Sequence, residues 1–142
     1  MTFSIRSQLV APSTSATCEL VLGDHHESFP LITSLWSREA YEAQWTEALS
    51  ALVSGAVKSC ALMTDIQPPE DSVGVSYWAL FRQDDLVYLQ ERFLRASSAL
   101  LVGPPISVEA HIPPRIQGTA EEQSRVSEWT VALPDIREFL KQ

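Results

Sequence analysis

The chain has 142 residues, 45% of them hydrophobic, which is enough to bury a core as one domain (residues 1–142) without disulfides or metals. Its net charge of −8 comes from 10 Lys and Arg against 18 Asp and Glu, and it disfavours binding to nucleic acid or anionic membranes. No apolar run approaches the ~20 residues of a membrane span, and the first residues lack the apolar segment of a signal peptide. We therefore expect a cytoplasmic protein.

The N-terminal third predicts short extended segments. Residues 3–10 and 18–22 are typical of β-strands, and the small residues and Pro of 11–17 indicate a loop between them. The polar run of residues 23–28, GDHHES, predicts a second loop. Residues 29–33 then predict a short apolar strand or an extended entry into the following helix.

The strongest single pattern is a helix that begins after Ser37 and ends at Gly55. Ser37 is a good N-cap, because its hydroxyl can accept a hydrogen bond from an amide of the first turn, and Gly at the far end is a common stop. Trp36 is placed for a hydrophobic staple. The apolar stripe at helical spacing consists of Tyr41, Trp45, Ala48, Leu49 and Leu52. The opposite face is expected to carry Arg38, Glu42, Gln44 and Glu47.

The second half predicts further strands. Residues 58–64 indicate a strand that is buried on both sides, and the two prolines of 67–71 indicate a loop. An acidic turn at residues 83–85 separates two β-rich runs, 73–82 and 86–93, and this arrangement predicts an antiparallel hairpin.

The C-terminal part begins with a proline-rich stretch, residues 96–118, which predicts irregular structure with a short strand near 106–111. Residues 127–133 predict a last strand, and Pro134 starts a short helix over 135–140. The predicted class is α+β: a mostly antiparallel sheet of about five strands, with one main helix packed on a face and a short C-terminal helix.

The search for reactive groups finds no phosphate-binding loop, nucleophile elbow or zinc-protease motif. Cys18 and Cys60 lie in apolar stretches, where we expect buried thiols. His25 and His26 could both bind a metal from a loop, with His111 completing the site, but zinc sites usually show spaced ligand pairs. The four tryptophans lack the interleaved basic residues of a nucleic-acid surface. We therefore predict no catalytic residue, no cofactor and no metal.

Five stretches together resemble a known family: TSLWSREAYEAQWTEAL, KSCALMTDI, YWALFRQDDLVYLQERFL, IPPR and SEWTVALPDIREFL. In this order they resemble the small bacterial immunity proteins of contact-dependent growth inhibition systems, the CdiI type. The resemblance spans residues 29–140, and residues 1–28 lie outside it. Its motifs are structural, so it transfers no catalytic residue.

The resemblance implies a protein that binds the C-terminal domain of a cognate toxin, such as a nuclease, and neutralises it without catalysis. An acidic partner suits a toxin with a basic cleft. The residues predicted to contact the toxin lie in the acidic turns and on the hairpin: Glu70, Asp71, Asp84, Asp85, Glu91, Glu121 and Glu122. Two alternatives stay open, a protein–protein adaptor or subunit with no toxin, and a small metal-dependent protein using the three histidines. No oligomeric state is predicted.

Overall fold

A computed structural model describes residues 2–9, 16–31, 33, 36–64, 74–95, 115 and 127–142 of the protein. Within these ranges the chain forms two antiparallel sheets and two helices. The α+β prediction is therefore confirmed, but the expected count of about five strands in one sheet is wrong, because the described residues contain seven strands in two sheets.

The first sheet is a meander of three strands, β1 (Phe3–Leu9), β2 (Ala16–Leu22) and β3 (His25–Leu31). The predicted loop over residues 23–28 is wrong: only Gly23 and Asp24 form the turn, and Gly23 adopts a positive φ of 65° there. The polar residues that follow are strand residues. Tertiary contacts on the inward face offset their low β-propensity.

The second sheet is also a meander, of β4 (Ser59–Met63), β5 (Gly74–Gln83), β6 (Leu86–Arg95) and β7 (Glu128–Ala132). The predicted hairpin is confirmed, with Gln83 opposite Leu86 across the turn. The prediction of a strand buried on both sides is confirmed for β4, where Cys60 to Met63 are all buried. The predicted loop at 67–71 and strand at 106–111 lie outside the described residues.

Helix α1 (Arg38–Ser54) starts and stops as the sequence predicts. The Ala40 amide donates to the Ser37 hydroxyl at 3.1 Å. Gly55 adopts φ 87°, a left-handed conformation that costs glycine little, and its amide donates to the Leu52 carbonyl. The Trp36 ring lies 5.3 Å from the ring of Tyr41, four positions into the helix, so the hydrophobic staple is confirmed.

One hydrophobic cluster includes buried residues of both sheets and both helices. Helix α1 packs against β4, and helix α2 (Leu133–Leu140) packs against α1, β1 and β7. Phe3 of β1 meets Phe139 of α2 edge-on at 5.5 Å. Gln44 departs from the predicted polar face: it is 5% exposed, because it bonds to the backbone of β4. None of the described helices has the length and apolar character that crossing a membrane requires.

Candidate functional site

The β5–β6 turn presents two of the predicted acidic residues, Asp84 and Asp85, and both are exposed. The backbone of this turn is fixed at two points. The Arg82 Nε donates to the Asp84 carbonyl at 3.1 Å, and the Leu133 amide donates to the Asp85 carbonyl at 2.8 Å. Asp84 has a φ of 55°, which Asp tolerates better than most residues. The turn therefore holds both carboxylates on the surface at a fixed place.

The neighbouring Arg82 is directed toward the end of helix α1. Its Nη1 donates to the carbonyls of Leu52 and Val53, at 2.8 and 3.0 Å. These carbonyls lie at the negative end of the helix dipole, which a cation stabilises. Since no basic residue lies in the last turn of α1 itself, β5 supplies the charge from outside.

Glu91, the third predicted contact residue that the structure describes, is exposed but lies far from the turn. The register pairs Gln83 with Leu86 next to the turn and Trp78 with Glu91 further along the hairpin. Five residues of strand at about 3.3 Å each separate Leu86 from Glu91, roughly 17 Å in all. The structure therefore places the two acidic features at separate positions along the hairpin.

Glu91 has an acidic neighbour that the sequence analysis missed, Glu27 on β3. Although Glu91 is exposed, partial desolvation of its carboxylate raises its pKa, and the negative charge of Glu27 raises that pKa further. Glu27 lies opposite the fully buried Leu20 in the register of the first sheet, although its side chain keeps 37% of its exposure. In β3 the less exposed residues His25, Glu27 and Phe29 alternate with the exposed His26, Ser28 and Pro30. This two-residue period is typical of a half-buried strand and could have placed Glu27 on the inward face.

Aromatic rings join the two sheets beside these carboxylates. The His25 ring stacks on Trp129 of β7 with centroids 4.5 Å apart, and Trp129 lies 5.3 Å from Trp78 of β5. The His25 Nε2 is 3.4 Å from the Glu27 Oε2. We call this surface the acidic seam and define it by four residues: His25, Glu27, Glu91 and Trp129.

The other predicted contact residues, Glu70, Asp71, Glu121 and Glu122, lie outside the described residues, as does His111. His25 and His26 are consecutive in a strand, so they point to opposite faces of the sheet and cannot converge on one metal as loop ligands could. Within the described ranges no three or more His, Cys, Asp or Glu side chains are grouped to hold a metal ion.

The thiols are confirmed as buried, and neither forms a disulfide. Burial, followed by the charges of Glu19 and Glu27, raises the pKa of Cys18 to about 12. A nucleophilic cysteine needs a thiolate, which an electropositive environment favours. The environment of Cys18 has the opposite sign, so this thiol stays protonated and inert at neutral pH.

A surface cleft of about 340 Å³ lies between β1 and the two helices, lined by Ile5, Arg6, Ser7, Glu42, Trp45, Thr46, Phe139, Leu140 and Gln142. Its polar groups bond to one another. The Ser7 hydroxyl donates to the Glu42 carboxylate, and the Arg6 guanidinium donates to the Gln142 side chain while lying over the Phe139 ring. These contacts tie the strand to the helices and assemble no nucleophile with a base.

Comparison with known proteins gives three matches that agree. Residues 31–139 match the family described as the CdiI N-terminal domain. The chain is 25% identical over 136 residues to the "Immunity protein CdiI" of Enterobacter cloacae subsp. cloacae, covering 96% of this chain and 88% of that protein. Its fold matches a chain of the "CdiA-CT/CdiI toxin and immunity complex from Enterobacter cloacae" with a TM-score of 0.80 and 22% identity, covering 99% of this chain and 97% of that one.

Proposed function

Since the chain belongs to the CdiI N-terminal domain family, we propose that it is an immunity protein that binds and neutralises the C-terminal domain of a cognate toxin in contact-dependent growth inhibition. The family match, over more than half of the chain, carries this proposal. The curated relative bears the name of an immunity protein and aligns along almost the whole chain, which supports the proposal.

Neutralisation proceeds by stoichiometric binding, without catalysis. The polar groups of the described cleft are paired with one another, and the Cys18 thiol stays protonated. Both features suit a protein that acts by binding a partner through its surface. The net charge of −8 favours a toxin with a basic surface, such as a nuclease. Complementary charge steers the two proteins together and raises the association rate.

The contact residues remain a proposal. We place them in the acidic turns and on the hairpin, where Asp84 and Asp85 are exposed on a turn with a fixed backbone. Glu91 lies in the acidic seam, and we add its acidic neighbour Glu27 to the proposed contact residues. Glu70, Asp71, Glu121 and Glu122 complete the predicted set.

The proposed function is tested by growth protection. The toxin domain encoded beside this chain's gene is expressed inducibly, with the chain co-expressed or absent. Rescue of growth, together with co-purification of the two proteins in a fixed stoichiometry, is the expected result. Growth arrest in the presence of well-expressed, folded chain would overturn the immunity proposal.

The proposed contact surface needs a separate test, with variants that keep the fold. Replacing Asp84 and Asp85 together by Lys reverses two exposed charges in a turn held by backbone bonds, and urea unfolding checks that the fold tolerates Lys at the positive φ of position 84. We expect toxin affinity by calorimetry to fall at least tenfold, about 1.4 kcal/mol. The control is Glu47→Lys with Glu138→Lys, which makes the same change of net charge at exposed helical positions. Equal losses in the two variants would assign the effect to net charge and exclude the turn as a contact.

A further inference from the structure

Strand β4 is a terminal strand of the second sheet, and its outer edge is not paired with any described strand. Backbone groups of alternate residues point outward along such an edge, and an open edge invites pairing with another chain. The run at this edge, SCALM, is uncharged and free of Pro and Gly, so its composition offers nothing that would repel a second copy.

Helix α1 covers this edge with side chains that hydrogen-bond to the strand backbone. The Gln44 amide oxygen accepts from the Met63 amide at 3.0 Å, and the Gln44 Nε2 donates to the Ala61 carbonyl at 2.8 Å. The adjacent Trp45 donates its Nε1 to the Met63 carbonyl at 2.7 Å. Both side chains are almost completely buried, so water does not compete for these bonds.

This arrangement reproduces the contacts that a neighbouring strand would make. One side-chain amide supplies a donor to the Ala61 carbonyl and an acceptor to the Met63 amide, two outward residues of β4, as a residue of a neighbouring parallel strand does. We propose that Gln44 and Trp45 take the place of an additional strand and close the β4 edge against pairing with a second copy of this chain. A second copy is the partner that an open β4 edge would bind, because the same uncharged strand can pair with itself antiparallel about a two-fold axis.

A buried glutamine among large apolar residues would be costly without such a role. A buried amide that lacks partners costs free energy, and an apolar residue of similar length would pack at this position without that cost. The device is independent of the toxin, so the growth-protection result and the result below do not depend on each other.

The test is Gln44→Met, which keeps side-chain length and helix propensity but removes the amide. Glu47→Met is the control, since it introduces the same residue at an exposed position of the same helix. Amide exchange by NMR reports on Met63, and sedimentation from about 10 μM to about 1 mM protein reports on self-association. We expect Gln44→Met to self-associate at least tenfold more strongly than the wild type and the control. Its Met63 amide should exchange faster than in the wild type at low protein concentration, where the edge is open, and more slowly at high concentration, where a second copy pairs with it.

Two results would overturn the proposal: unchanged exchange at Met63, or faster exchange with no gain in self-association at any concentration. If Gln44→Met does not fold, Gln44→Glu takes its place, since its carboxylate still accepts from Met63 but cannot donate to Ala61 when ionised; it should self-associate more than wild type. The wild-type protein gives an independent check. Its Met63 amide should exchange as slowly as the central β5 amides, and exchange at the rate of an open sheet edge would exclude closure.

Discussion

The cluster around Arg115 and Glu128 gives the sharpest prediction for stability. The Arg115 Nε and Nη2 donate to the two oxygens of the Glu128 carboxylate at 2.7 and 2.8 Å, and the guanidinium lies 3.7 Å from the centre of the Tyr88 ring. The Gln90 amide donates to the same carboxylate at 2.7 Å. These bonds lower the pKa of Glu128, with the Arg115 hydrogen bonds as the main cause. The variants to test are Arg115→Ala, Glu128→Gln and the two combined.

The magnitude depends on how far the pair is shielded from water. Exposed ion pairs contribute about 0–1 kcal/mol, whereas hydrogen bonds to charged groups in folded proteins contribute about 1.5–3 kcal/mol. The side chains of Arg115 and Glu128 keep only 15% and 26% of their exposure, so the higher range applies. Stacking on Tyr88 adds about 0.5–1 kcal/mol. The sum for Arg115→Ala is about 2–4 kcal/mol.

Urea unfolding measures this loss. With a slope of about 2 kcal/mol/M, the midpoint should fall by about 1–2 M for Arg115→Ala. Arg137→Ala on α2 is the control, because it removes an exposed arginine, and it should leave the midpoint almost unchanged. A double-mutant cycle should give a coupling energy of about 1.5–3 kcal/mol between Arg115 and Glu128. A coupling energy below about 0.5 kcal/mol would refute the reasoning and class the pair with ordinary surface pairs.

Two further predictions concern a buried indole and a carboxylate of the acidic seam. Trp45→Ala should cost about 3–5 kcal/mol in urea unfolding, since the ring is 2% exposed, and a loss near zero would contradict the assigned face of α1. Because the folded-state pKa of Glu91 is raised, its charge destabilises the fold progressively as pH rises from the ordinary carboxyl value through the folded-state pKa. Glu91→Gln should therefore be more stable than wild type at about pH 7 and equal to it at about pH 3, while binding the toxin more weakly; a variant less stable at pH 7 would refute the first part.

The sequence motifs predict the scaffold well because each describes a local contact. Ser37 caps the helix, and Gly55 ends it with a positive φ. Arg115, from the IPPR motif, pairs with Glu128 of the SEWTV motif, 13 residues further along the chain. This partnership could not be deduced from spacing, since a single sequence does not state which charged residues pair with each other.

The errors share one physical cause, which is long-range contact. Strand β3 looked like a polar loop, yet its His25 stacks on a tryptophan more than a hundred residues away in the chain. Gln44 looked like a surface residue, yet the backbone of β4 satisfies its amide. In both cases a polar side chain is withdrawn from water, partly for His25 and almost completely for Gln44, because a specific partner accepts it, and hydrophobic periodicity carries no information about such partners.

Most of the described residues in the five stretches that resemble the family form caps, core packing or internal polar pairs. They therefore hold the fold, and the exposed residues are left to contact a toxin. Residues that hold the fold cannot change to suit a new toxin without loss of stability, whereas exposed carboxylates such as Asp84 and Asp85 can. Glu91 stands apart, because its raised pKa marks a charge that the fold itself does not favour. An unfavourable charge at this position fits a binding role, since function and stability often compete at one residue. The opposite signs expected for Glu91→Gln, a gain in stability with a loss of affinity, distinguish a binding residue from a scaffold residue in one variant.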